Sequence, residues 1–165
     1  MKTTELQDAI LIEFLKSRPL AITNYSYLTG YEADIIMISP SGLATEVEVK
    51  TSRADFKKDF SKTTKHKHLK APTVSKGTST VAKYPKAPNY FYYACEEGLL
   101  TVKDIPPYAG LIHVKKNGEV IVVKKSPKLH SFKVPEYMRH NIGRVLSIRT
   151  VLGSSYLRYK HGHRD

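Results

Sequence analysis

Three residues near one another in the chain could act jointly on a phosphate ester. Asp34 lies within Ala33-Asp34-Ile35-Ile36-Met37-Ile38, and Glu48 and Lys50 end the run Ala44-Thr45-Glu46-Val47-Glu48-Val49-Lys50. Side chains alternate faces along a strand, so Glu46, Glu48 and Lys50 share one face while Val47 and Val49 point into a core on the other. Between the two runs, Ser39-Pro40-Ser41-Gly42 supplies turn formers, since proline fixes φ and glycine tolerates positive φ. The antiparallel hairpin this predicts carries Asp34 towards Glu48 and Lys50. Two carboxylates converging on one point repel unless a cation sits between them, and hard oxygen ligands suit Mg²⁺ or Mn²⁺. Lys50 beside them would position or deprotonate an attacking water, or compensate charge building on a phosphate. An exposed strand with one wet face shows the same alternation of charge and valine. Asp34 argues against that reading, because an acid in an apolar run buried on both faces is costly unless paired or metal-bound.

An Asp on one strand, Glu-x-Lys on the next and a basic helix after them resemble the core of the PD-(D/E)xK nuclease superfamily. Within it, Tyr31-Glu32-Ala33-Asp34 and Glu48-Val49-Lys50-Thr51-Ser52-Arg53-Ala54-Asp55-Phe56 are similar to the MmcB-like DNA-repair proteins, whose pattern also joins E-x-K to a Ser-Arg-Ala-Asp-Phe segment. An aromatic strand, an Ile105-Pro106 bend and a Gly110-Leu111-Ile112 strand follow in the same order. The proline that names the superfamily is absent, and Ala33 stands before Asp34. The resemblance implies a restriction-endonuclease-like α/β fold with a mixed central sheet flanked by helices. It implies a Mg²⁺- or Mn²⁺-dependent deoxyribonuclease of DNA repair or recombination, or a resolvase of branched DNA. Asp34, Glu48 and Lys50 would be catalytic, with Asp34 and Glu48 on the metal. A further Glu on the first helix often reaches the metal in related resolvase-type enzymes, and Glu13 is the better candidate, Glu5 the second.

The elements that must position these residues can be read in order. Thr3 to Lys16 repeats apolar residues at helical spacing through Leu6, Ile10 and Phe14, with a Thr cap, and ends before Pro19. Leu20 to Leu28 reads as the first strand, so the chain begins an α-β-β-β-α-β core. Ser52 is suited to cap the helix Arg53 to Phe60 or to meet a phosphate, and Phe56 and Phe60 share its buried stripe. The cation-dense run from Lys62 to Lys70 follows; Ser52, Arg53, Lys57, Lys58, Lys62, Lys65 and Lys67 are expected on DNA. His66 and His68 have no Cys or acid close by in sequence, which argues against zinc. The stretch 70–88 lacks an apolar period and carries lysines, and reads as an arm ordering on nucleic acid or a plain flexible insertion. Asn89 to Cys95 is an aromatic core strand, Leu111–Val114 and Val120–Val123 form a hairpin, and Tyr137 to Leu152 is a helix before a basic tail at about 154–165.

Composition sets the outer bounds. The 165 residues, 41% hydrophobic, suit one domain with a core. Lysine and arginine number 27 against 15 acids, a formal charge of +12 that favours polyanionic partners. The single cysteine excludes an internal disulfide and a thiolate metal cluster. Neither an apolar leader nor a membrane-length window is read, so a cytoplasmic location is expected. A homodimer is compatible, as in nucleases that cut both strands, although no segment marks an interface. Two rivals remain: a non-catalytic DNA-binding module on the same fold, and an RNA-directed or ribosome-associated basic protein stacking bases on Tyr90, Tyr92 and Tyr93.

Overall fold

The computed structural model describes residues 1–26, 28–74 and 84–161, with side chains as far as residue 151. The middle of the expected basic arm, with Lys76 and Lys83, and residues 162–165 of the expected tail lie outside the described residues. The elements are α1 (Thr3–Phe14), β1 (Leu20–Tyr25), β2 (Ala33–Ile38), β3 (Ala44–Lys50), α2 (Arg53–Asp59), α3 (Thr63–Lys70), β4 (Tyr90–Glu96), a 3₁₀ turn (Val102–Asp104), β5 (Gly110–Val114), β6 (Val120–Lys124) and α4 (Glu136–His161). The six strands form one mixed sheet in sequence order. β1, β2 and β3 are antiparallel neighbours, β3, β4 and β5 run parallel, and β6 returns antiparallel on β5. The α/β architecture with helices flanking a mixed sheet is the one expected from the sequence.

Binary pattern decides which face each helix covers. Val47 and Val49 of β3 join Ile35, Met37, Ala94 and Ile112 on one face, where Leu6 and Ile10 of α1 close the layer. The opposite face of β1 and β2, Ile22, Ile36 and Ile38, packs against Ile142 with Met138, Val145 and Leu146 of α4. Beside it, Phe56 of α2 and Leu69 of α3 pack on Phe91, Tyr93 and Leu111. The charged side of β3 faces this second layer, and all seven of its residues are buried. Glu46, Glu48 and Lys50 therefore do not line a wet face; they are covered by α2 and α3.

Several boundaries differ from the sequence reading for identifiable reasons. β1 stops at Tyr25 next to Asn24, which takes a positive φ of 48°. The N-cap of α1 is Lys2, whose backbone N–H donates to the Glu5 carboxylate at 2.8 Å, so the capping group is an acid in the first turn and not a threonine. α4 continues through the start of the expected tail as far as His161, so the basic residues there sit on helical backbone. The 2–3 turn is as expected: Gly42 has φ +84° and its N–H donates to the Ser39 carbonyl at 2.9 Å. Among the described residues no helix is long and apolar enough to cross a membrane.

Candidate active site

β2 and β3 run antiparallel with Ile36 opposite Glu46, a register that brings the start of β2 to the carboxyl end of β3. Asp34 Oδ2 accepts the backbone N–H of Val49 at 2.7 Å. Burial raises the Asp34 carboxyl above its ordinary range, and the nearby Glu48 charge adds to the effect. The hairpin thus joins Asp34, Glu48 and Lys50, which the spacing in the sequence predicts. They lie where the parallel strands β3 and β4 end, the usual place for ligands in open sheets of this kind.

Helices α2 and α3 bring further charges onto the same carboxylates. The Lys50 Nζ donates to Glu48 Oε1 at 3.0 Å, Lys62 reaches the same oxygen at 3.1 Å, and Lys65 donates to Oε2 at 2.7 Å. Asp59, at the end of α2, faces all three ammonium groups at 3.4, 3.0 and 3.6 Å. It also accepts the Tyr93 hydroxyl of β4 on Oδ2 at 2.8 Å, with His66 Nε2 3.4 Å from the same oxygen. Burial pushes the Asp59 carboxyl up, but Lys65 and Lys50 outweigh it and hold the group below the usual carboxylate range. Burial likewise pulls the Lys50 ammonium down, and Glu48 with Asp59 outweighs it, leaving its pKa raised. Lys50 is therefore a firmly charged ammonium and a poor proton acceptor at neutral pH.

Glu46 is the least compensated member. It is wholly buried, accepts from the Tyr31 hydroxyl at 3.0 Å through Oε2, and has Lys65 at 3.8 Å from Oε1, which finds no hydrogen-bond donor among the described residues. Burial raises its carboxyl to about 7, against the pull of Lys65 and with the help of Glu48. Lys65 is enclosed on its remaining sides by aromatic faces, 5.3 Å from the Tyr31 centroid and 4.9 Å from that of Phe91. Cation–π contact of this kind keeps a desolvated ammonium tolerable.

The other expected site residues fall in different places. Glu13 is on the exposed side of α1, in a cleft with Met1, Glu5 and the turn Lys116–Gly118, and it does not join Asp34 and Glu48. Leu6 and Ile10 fix the rotation of α1, and the residue it turns to the Asp34 backbone is Gln7, whose Nε2 donates to the Asp34 carbonyl at 3.1 Å. Ser52 caps α2, accepting from the Asp55 N–H at 3.1 Å. Arg53 is engaged in a bidentate pair with Asp104, both bonds 3.2 Å. Lys57, Lys58 and Lys67 are exposed, whereas Lys65, expected on DNA, is buried against Glu48 and its neighbouring acids. Asp59, Tyr31 and Tyr93 were not singled out for the site; the signal was Tyr93 falling beside Glu48 in the parallel register and Asp59 standing three residues before Lys62.

A cleft of about 360 Å³ opens beside this cluster, lined by Lys62, Lys65, His68 and Lys86 with Tyr31 and Thr63, and among the described residues no Asp or Glu lines it. Asp34 and Glu48 offer hard carboxylate oxygens on adjacent strands, the donor type that suits Mg²⁺ or Mn²⁺, but among the described residues no third carboxylate, His or Cys joins them to complete a metal-holding group. A divalent ion would compete with lysines for the Glu48 oxygens; Lys62, half-exposed, is the one free to swing away.

No family model matches the sequence, and no curated protein matches it either. Among solved structures the chain is similar to the SPO1766 protein of unknown function from Silicibacter pomeroyi, with a TM-score of 0.59 and 16% identity over 99% of this chain and 96% of that one. At that identity the likeness is one of fold.

Proposed function

We propose that the chain is a DNA-cleaving phosphodiesterase of PD-(D/E)xK type, working in the cytoplasm in repair or recombination, alone or as a homodimer. The observation that carries this reading is the meeting of Asp34, Glu48 and Lys50 at the carboxyl end of β3, beside a cationic cleft without acids. Asp34 and Glu48 would hold Mg²⁺ or Mn²⁺, and the ion would supply Lewis-acid polarisation of the phosphate. Half-exposed Lys62 sits at the boundary between the cleft and the carboxylates and exposed Lys86 lines the cleft, so a phosphate there has two ammonium groups to meet, while buried Lys65 holds the carboxylates from behind. Water would attack phosphorus in line, forming one P–O bond as the bond to the leaving oxygen breaks; the water's proton passes to solvent through the open cleft, and the leaving oxygen takes a proton from solvent in turn. Lys50, being firmly charged, stabilises the negative charge that accumulates on the phosphoryl oxygens, and is not the base.

The test is cleavage of labelled linear, nicked and four-way-junction DNA with Mg²⁺, Mn²⁺ or EDTA, comparing the wild type with Asp34→Ala and Lys50→Ala. Metal-dependent cutting that falls at least ~100-fold in both variants is the expected result. A second reading, a DNA-binding module that does not turn over, is favoured by the three ammonium groups on Glu48. Equal DNA binding by all three proteins with no substrate cut would establish that reading and end the catalytic one.

A further inference from the structure

A second concave surface lies beside helix α3, walled in part by His66, whose Nε2 is 3.4 Å from Asp59 Oδ2. A cavity of about 930 Å³ lies between α3 and the bend after the 3₁₀ turn, lined by Phe60, His66, Pro106, Pro107 and Tyr108, with Lys67 and Lys70 also on its wall. Its size is within the ~300–1,000 Å³ usual for pockets that take small organic groups. Thr63 lines both this cavity and the cationic cleft, so the two are neighbours across the start of α3.

The aromatic wall is held in place. His66 Nε2 faces the backbone carbonyl of Asp59 at 3.0 Å, an atom that can only accept, so this nitrogen carries the proton. Nδ1 is then the acceptor for the Tyr108 hydroxyl at 2.7 Å. Burial holds the imidazole pKa below its usual value, in keeping with this neutral tautomer. Phe60 stacks on the imidazole with centroids 5.0 Å apart and planes inclined 21°, and meets Phe56 edge-on at 5.1 Å. Phe60 is nonetheless 39% exposed, an apolar ring on a fixed support at an open cavity. The cavity thus sets an aromatic and prolyl wall beside two exposed lysines, a pairing that complements a group both flat and anionic.

We infer that this cavity takes an unpaired nucleobase stacked against the Phe60–His66 wall and the Pro106–Pro107 edge, with the flanking phosphates on Lys67 and Lys70. The complementarity is one of shape and charge together, since a π-face meets the apolar wall and the backbone meets the cations. The preferred substrate is then DNA with a single-stranded or extruded nucleotide, not an uninterrupted duplex. The inference rests on the reading that this surface meets DNA, and does not require that DNA be cut.

The experiment is fluorescence anisotropy in EDTA, with labelled single strands, the same strands carrying abasic sites, and duplexes of equal length. Wild type is compared with Phe60→Ala, Phe60→Leu and the double variant Lys67→Gln/Lys70→Gln, each checked for an unchanged thermal melt. Wild type is expected to prefer the intact strand to the duplex and to the abasic strand. Phe60→Ala should lose ~5- to 100-fold on the intact strand, the range of one base–aromatic stack, and little on the abasic one. Phe60→Leu, which keeps apolar bulk but not the π-face, should lose nearly as much. The double lysine variant should weaken all three ligands and reduce the salt slope by ~1.4 for two phosphates on a single strand. Equal affinity of wild type for intact and abasic strands, or an equal loss on both in Phe60→Ala, would overturn the base pocket while leaving DNA binding standing. Absence of binding to any strand would remove the DNA reading and the pocket with it. Loss of cleavage alone, with the base dependence intact, would count only against the catalytic reading.

Discussion

At the scale of single residues, the cluster under α3 is decided by burial more than by charge count. Lys65 and Lys62 both touch Glu48 and Asp59, yet the side chain of Lys65 is 2% exposed and that of Lys62 51%. Removing the buried ammonium leaves Glu48, Asp59 and Glu46 uncompensated, and Lys65→Met is expected to cost ~3–5 kcal/mol. Lys62→Ala is expected to cost under ~1 kcal/mol, as an exposed pair does. Urea unfolding midpoints check the contrast, and similar losses in the two variants would mean that burial is not what sets the energetics. Glu46 gives a pH signature. Its folded carboxyl, raised to about 7 by burial against the pull of Lys65, keeps a proton that the unfolded chain releases above the ordinary glutamate value of 4.5. Stability from this group is therefore present below pH 4.5 and lost as pH rises to about 7. Asp34, also raised, slopes the same way, whereas Asp59, lowered, acts only as pH falls below the ordinary aspartate value of 3.8. Glu46→Gln should flatten the decline between pH 4.5 and 7, as measured by chemical denaturation across that range; an unchanged slope would show that Glu46 titrates normally.

At the scale of elements, what could be read from the sequence was whatever periodicity or turn chemistry governs locally. Asp34 and Glu48 were brought together correctly because Pro40 and Gly42 fix a hairpin and alternation fixes its faces. The roles of Lys62 and Lys65 were not legible, because a lysine on a short cationic helix reads the same whether its partner is a phosphate or a buried carboxylate. Glu13 was misplaced for a related reason: the helical period identifies α1, but which way the helix is rolled on the sheet is settled by Leu6 and Ile10 meeting residues from four strands. The 3₁₀ turn, which orders Asp104 against Arg53, has no period at all and is recognisable only from its contacts. One glycine also acquires meaning only in the assembled sheet. At Gly110, where β5 begins, a Cβ would collide with the Tyr92 ring and lie 2.7 Å from the Lys124 carbonyl oxygen. Gly110→Ala is expected to lower stability by ~1–3 kcal/mol through overpacking, because a backbone carbonyl cannot give way as a side chain does. A thermal melt within a degree of the wild type would show that β5 and β6 separate there without strain.

At the scale of the whole molecule, the distribution of charge matters more than its sum of +12. The acids of the cluster are internal, whereas exposed Lys86 and half-exposed Lys62 line the cleft and exposed Lys67 and Lys70 line the cavity. A surface of this kind attracts a polyanion to α3 from any approach, and the interior charges then act only at close range. The sheet's topology has a separate bearing, on time. β1, β2, β3, α2 and α3 follow one another along residues 20–70 and meet mostly their neighbours in sequence, whereas β4 must return from residue 90 to lie parallel to β3. Closing that long loop is entropically late, so the hairpins and the carboxylate–lysine cluster are expected to form before β4 docks. Tyr93→Phe, which removes the hydroxyl on Asp59 at a cost of ~1 kcal/mol, should then leave the refolding rate unchanged and accelerate unfolding. Ile36→Val, in the heart of the first hairpin, should slow refolding instead. Stopped-flow chevrons distinguish the two limbs, and slow refolding in Tyr93→Phe would reverse the order. On this sequence of events the nascent domain acquires its charge cluster first and its aromatic cavity last, because Tyr108 lies beyond β4 and can meet His66 only after the parallel strands have zipped.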